Sequence, residues 1–339
     1  LEKAAFGVYA YTATPPAFRA ATAGWQRRRH HWDIGEAMVI PISSVVPALY
    51  TAVAAFTEPG DRVILQRPVY GPFTDAVTQQ GREVSNNALL LQQGRYEVDF
   101  EDLERRAADP RAKLMLLCSP HNPVGRVWTV EELKGIGDFC MKHNLYLIAD
   151  EIHNDLVFKE HHVFTNVCPE MADKTILCTA PSKTFNLAGL QASNIIIKNE
   201  ELRNKFKTLL GNLHVGSANA FVDSVVIAAY TQCDQWLDEL NVYIQNNMHY
   251  FAKEINSIAP LKMWDPEGTY LAWVDCRGLN MTDDELTAFF KEKCHLAFNA
   301  GTFFGPEGSG FVRANMACPR AYVEEAVKRI REGVATLNK

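Results

Sequence analysis

Between residues 60 and 200 the chain alternates short apolar runs with longer stretches in which apolar positions recur every three or four residues. The runs are Arg62–Leu65, Leu114–Cys118, Leu145–Ala149, Thr175–Cys178 and Asn194–Ile197. Successive side chains of a strand point to opposite faces, so a near-continuous apolar run fits a strand covered on both sides. Thr129 with Glu132 three residues on is a capping-box pattern, and Leu133, Ile136 and Phe139 behind it share one helical face. Strand and helix in alternation predict an α/β fold with a mostly parallel central sheet.

After about residue 230 the rhythm changes. A long helix is expected from Trp236 through Leu240, Tyr243, Ile244 and Phe251, then a strand at Tyr270–Val274 and a helix capped by Thr282 and Glu285. A strand at Phe311–Asn315 and a last helix burying Val323, Ala326, Val327, Ile330 and Val334 complete the chain. We therefore expect a large domain at 9–235, and at 236–339 a bridging helix with a small α+β domain. No internal repeat, low-complexity tract or flexible linker interrupts them.

Composition narrows the function. At 339 residues, 47% apolar and 22% charged, the chain is of ordinary globular make-up, which argues against disorder and against a fibrous protein. A net charge of -6 gives no general pull toward nucleic acid or acidic lipid. The one basic run, Arg27–His31, reads as a solvated helix end. Eight cysteines without a C-x-x-C pair suggest reduced thiols rather than zinc or a disulfide framework. With no apolar stretch of bilayer length and no signal-peptide pattern, a soluble, cytoplasmic protein is expected. The chain opens on Leu1 rather than Met, so residues 1–8 are read as the remnant of a longer N-terminal segment.

In open α/β sheets the chemistry gathers where strands end. Here Ser119–Gly125, Asp150–Asp155 and Ala180–Asn186 follow three of the apolar runs. Singly each is weak, since a lone lysine is usually a surface residue and a lone strand-end aspartate usually caps a turn. Jointly they could furnish one site.

Those segments resemble, in order and rough spacing, the pyridoxal-phosphate (PLP) enzymes of fold type I. The likeness is to the MalY/PatB-like carbon–sulfur β-lyases within them, and it extends to Tyr9–Thr12, Val45–Leu49, Pro68–Phe73, Glu267–Tyr270 and Phe311–Asn315. The resemblance implies an aspartate-aminotransferase-like fold. It also implies that Lys183 holds the cofactor as a Schiff base and moves the Cα proton, that Asp150 keeps the pyridine nitrogen protonated, that Asn122 donates to the phenolic oxygen and that Tyr70 stacks on the ring. The phosphate is expected at the backbone amides of Ser44, Val45 and Val46, where a helix opens, beside the Ser182 hydroxyl. Arg313 would clamp the substrate carboxylate with its planar fork, with Arg320 as the rival. His153 stands where many aminotransferases have a tyrosine on the phenolic oxygen; its plain structural alternative is a satisfied histidine at a strand end. Tyr11 matches a residue that reaches the neighbouring subunit's site, which implies a homodimer. No metal site and no nucleic-acid partner are implied.

The sequence departs from the pattern at three places. Gln191 occupies the position, eight residues after Lys183, where many aminotransferases hold the phosphate with arginine. This fits the lyase branch. Ser44 stands where the family usually opens the phosphate turn with glycine, and Ala10 where it usually has glycine between two tyrosines, so each adds a Cβ that is expected to carry a steric cost. The expected reaction is α,β-elimination of a sulfur amino acid to thiol, pyruvate and ammonia. An amino-acid aminotransferase using the same lysine is the alternative, and a catalytically idle regulatory or binding protein on the same fold is a third reading.

Overall fold

The computed structural model describes residues 2, 4–7, 13–212 and 219–337. Twelve strands are present among them: β1 (Val39–Ile42), β2 (Arg62–Leu65), β3 (Glu83–Asn86), β4 (Leu90–Gln92), β5 (Arg95–Glu97), β6 (Ala112–Cys118), β7 (Tyr146–Asp150), β8 (Thr175–Thr179), β9 (Ser193–Ile196), β10 (Leu271–Asp275), β11 (Asn299–Ala300) and β12 (Phe311–Asn315). Seven form one sheet in the order β1-β9-β8-β7-β6-β2-β3. The pairs β2–β3, β2–β6, β6–β7 and β7–β8 are parallel, while β8–β9 and β1–β9 are antiparallel.

The apolar runs are continuous because this sheet has a core on each face. Along β6, Leu114, Leu116 and Cys118 join one buried cluster with the helix Val45–Phe56, while Met115 and Leu117 join another with the helix Val130–Lys142. The Thr129–Glu132 capping box is formed in both directions. A third cluster gathers a smaller sheet, β10-β12-β11, with the helices Asp234–Asn256 and Arg320–Leu337. In the last helix all five residues expected to be inside are buried.

Two buried polar features stitch these parts together. Glu267, 5% exposed, accepts from Arg126 Nε at 2.8 Å, Lys159 Nζ at 2.9 Å and the Val127 amide at 3.0 Å. Arg126 in turn donates to Glu132 of the capping box at 2.7 Å. The second feature refines the sequence reading of Arg27–His31. The run does end a helix, Pro16–His30, but it is not simply solvated: Arg28 pairs with Asp234 and Arg29 with Asp238 at the start of the long helix, and His30 is buried against Asp155. A helix C-terminus favours cations, and Arg27, Arg28 and His31 stay exposed there as expected of a solvated helix end, while the His30 side chain turns inward.

Candidate active site

The parallel strands β6, β7 and β8 end side by side, so the segments following them converge. Asp150 closes β7, Asn122 lies in the loop after β6, and Lys183 sits in the short helical turn Pro181–Thr184 just after β8. Together with Tyr70, His153, Ser182, Ser44, Val45, Val46 and Arg313 they line one cavity of about 420 Å³. Every site residue expected from the sequence and described here lines it. Tyr11 lies outside the described residues. Arg320, the rival to Arg313, lies elsewhere: it caps Asn246 O at 2.9 Å and rests over Tyr250.

The electrostatics of the cavity are unbalanced. Burial pushes the Asp150 carboxyl up to about 7, although the Ile152 amide at 3.2 Å and the Lys183 charge oppose this. Lys183 forms no ion pair among the described residues, and burial depresses its amine, with Asp150 acting in the other direction. His153 is 2% exposed and is held neutral by burial, down to about 3. Its Nδ1 has no hydrogen-bond partner, and its ring meets Tyr270 edge-on at 5.7 Å.

Arg313, in the middle of β12, donates from Nη1 to Asn122 Oδ1 and from Nη2 to Asn299 Oδ1, each at 2.9 Å. Its guanidinium lies 4.7 Å from the Phe304 ring centroid and forms no ion pair among the described residues. A half-buried cation whose hydrogen-bond partners among the described residues are neutral amide oxygens has donors to spare for an anion. Because Asn122 Oδ1 is engaged, its Nδ2 is the atom left to donate.

At the other end, the helix Val45–Phe56 opens on Ser44 with no side-chain cap and no acidic residue in its first turn. Its leading amides are therefore free for an anion. Ser44 has φ -160, ordinary extended backbone, so its Cβ carries no positive-φ strain. Ala10 lies outside the described residues. Gln191, with φ +57, lines the same cavity.

The donor set fits pyridoxal phosphate: an amine beside a buried carboxylate, an orphaned imidazole nitrogen, an open helix N-terminus for a phosphate and a free guanidinium for a second anion. Sequence reasoning missed Asn299, Tyr270, Ser43, Ser193 and Asn315 as cavity residues. Asn299 faces Arg313 across the β11–β12 pair, a long-range register with no local signal.

The pattern of the family described as Aminotransferase class I and II matches residues 1–330. The chain is 40% identical to cystathionine beta-lyase PatB of Bacillus subtilis over 98% of its own length and 87% of the relative's. It is 36% identical to protein MalY of Escherichia coli over 95% and 83%. A crystal structure of cystalysin from Treponema denticola, which contains a pyridoxal 5'-phosphate cofactor, superposes with a TM-score of 0.96 at 38% identity, covering 99% of this chain and 86% of that one.

Proposed function

Because this chain belongs to the class I and II aminotransferase family, we propose that it is a PLP-dependent carbon–sulfur β-lyase that converts a sulfur amino acid to a thiol, pyruvate and ammonia. The fold is that of the aspartate aminotransferases. The observation that carries the proposal is the meeting, in one cavity, of a depressed lysine amine, a buried carboxylate and a guanidinium without a counter-ion.

When bound, the cofactor supplies an aldehyde that an amine can condense with, and a pyridinium ring that accepts the electron pair released when a Cα–H bond breaks. The rest falls to the chain's own residues. Lys183, depressed by burial, is neutral nearer to physiological pH than an exposed lysine, so it can hold the cofactor and, once displaced by the substrate amine, take the Cα proton. Asp150 would accept from the ring N–H, and a cation there would favour its ionised form. Arg313 holds the α-carboxylate, and Asn122 and Asn299 keep its fork in place. The leading amides of Val45–Phe56 with Ser182 would hold the phosphate, Tyr70 would cover the ring, and neutral His153 would offer Nδ1 to the phenolic oxygen. The Cα–H electron pair becomes the Cα–Cβ double bond as the thiolate leaves Cβ, Lys183 can return its proton to that sulfur, and the unsaturated amine so formed takes up water to give pyruvate and ammonia.

The family resemblance further supports a cytoplasmic homodimer in which Tyr11 serves the neighbouring site. No described helix is long and apolar enough to cross a membrane.

The test is to incubate the PLP-loaded protein with L-cystathionine and follow pyruvate and free thiol together, with Lys183→Ala as control. Equal release of both, abolished in the variant, is expected. Conversion of bound PLP to the pyridoxamine form without thiol release would overturn elimination in favour of transamination.

A further inference from the structure

Behind the lysine turn lies a polar network that elimination itself does not use. Asp155 is 7% exposed and sits on the loop that also carries Asp150 and His153. Trp25 Nε1 is 3.1 Å from its Oδ1 and 3.3 Å from its Oδ2, His30 Nε2 is 2.8 Å from Oδ1, and Thr184 Oγ1 is 2.7 Å from Oδ2. Its backbone carbonyl accepts from Asn241 Nδ2 at 2.8 Å. Burial alone would raise this carboxyl, but the bonds from His30, Thr184 and Trp25 outweigh it and hold it below the ordinary carboxylate range. An ionised carboxylate only accepts, so all three side chains donate to it and the direction of each bond is fixed.

Thr184 adjoins Lys183. The turn Pro181–Thr184 has 4 residues, too few to hold a helical shape by itself. The Thr184–Asp155 bond is the only side-chain hydrogen bond made by those residues among the described ones. Beneath the turn, Phe185 meets Trp25 edge-on at 5.5 Å, and Trp25 stacks on Tyr230 at 5.1 Å. One carboxylate thus joins the first long helix, the Asp150 loop and the lysine turn.

We propose that Asp155, held by Trp25 and His30, is a positioning residue: through the Thr184 hydroxyl it fixes where the Lys183 amine stands relative to Asp150. The inference rests on the reading of Lys183 as the cofactor-holding amine. Its consequence is for how firmly the cofactor is held and how well the amine is placed to move a proton. Arg313 and Asn299, which face the substrate carboxylate, are not part of the network.

The experiment compares PLP-loaded wild type, Thr184→Val, Thr184→Ser and Asp155→Asn. Two quantities are read: the fraction of PLP that borohydride fixes to Lys183 at timed intervals after dilution, and kcat and KM for L-cystathionine. Thermal midpoints are measured alongside. Thr184→Val and Asp155→Asn are expected to lose the covalent linkage about tenfold faster or more, as befits a broken bond to a charged group. In both, kcat should fall while KM shifts by less than about twofold. Thr184→Ser, which keeps the hydroxyl, should match wild type. Equal retention in Thr184→Val and wild type, failure of serine to rescue, or loss that merely tracks the thermal midpoint would each overturn the proposal. If Asp155→Asn does not fold, the near-isosteric valine and serine pair decides alone. Wild type that fixes no PLP on Lys183 would overturn the lysine assignment, and with it this inference, which separates that failure from the failure of positioning alone.

Discussion

Replacing Arg313 by lysine keeps the charge and removes the fork. The guanidinium has five N–H donors, of which the structure commits one to Asn122 and one to Asn299. Three remain, enough to meet a carboxylate through two parallel bonds. An ammonium has three, so if it keeps both asparagines it has one left. The net loss is one charge-assisted hydrogen bond, about 1.5–3 kcal/mol, or about 10- to 150-fold in kcat/KM. The carboxylate is gripped equally before and during bond breaking, so the loss should appear in KM. Steady-state pyruvate release from L-cystathionine by PLP-loaded Arg313→Lys measures it. Folding should respond in the opposite sense. Arg313 is a partly buried cation with no counter-ion, so Arg313→Met is expected to leave the thermal midpoint unchanged or raise it. A kcat/KM within about twofold of wild type, or a loss confined to kcat, would refute the assignment of the substrate carboxylate to this residue.

Asp150 makes the stability of the cofactor-free protein depend on pH. Its folded carboxyl stands at about 7 against an ordinary value near 3.8, so its contribution is fully present below about 4 and is lost progressively as pH rises from there to about 7. The loss is at most about 4 kcal/mol, and calorimetry of Asp150→Asn should show that part of the slope gone; an unaltered slope counts against it. Glu267 works the other way. Burial would raise it, but its bonds from Lys159 and Arg126 hold it down to about 2, so its stabilisation is fully present above about 4.5 and is lost progressively as pH falls from there to about 2. Glu267→Ala, which leaves Arg126 with Glu132 as its remaining carboxylate and the Val127 amide without its acceptor, should cost about 1–3 kcal/mol in denaturant unfolding; a cost below about 0.5 kcal/mol would show that the network is idle. Thr129→Ala removes one half of a capping box and should cost about 1 kcal/mol, read as a shifted denaturation midpoint; no shift would mean that tertiary packing alone holds the helix.

The interior strands were legible because being covered on both faces leaves a near-continuous apolar run, and the expected Arg62–Leu65 is found at those residues while Leu114–Cys118 lies within β6. Strands at the margins carry no such mark. β1 contains Pro41, which lacks a ladder donor and is tolerated because β1 is an edge strand. β3, at the opposite edge, reads Glu-Val-Ser-Asn, with only Ser85 buried. The β4–β5 hairpin turns on Gln93 and Gly94, both with positive φ, a two-residue turn that the glutamine disguises. The site was legible for a related reason: its residues cluster in short segments at the ends of parallel strands. Asn299 was not, because its only link to the site is a cross-strand register 14 residues away from Arg313. The Asp155 network escaped notice too, since a basic run gives no hint that its last helical residue turns inward.

The amide of Asn122 gives the site an unusual exposure to chemical ageing, and the next residue guards against it. Asn122 Oδ1 accepts from Arg313 Nη1. If that amide hydrolysed to a carboxylate, the protein would supply its own anion to the guanidinium and compete with every substrate molecule. Asparagine ordinarily deamidates through attack of the following backbone nitrogen on its side-chain amide, a route that needs an N–H. The following residue is Pro123, which has none. Spontaneous conversion by this route is therefore closed, and over long storage the protein should lose activity through other asparagines before it loses it through this one.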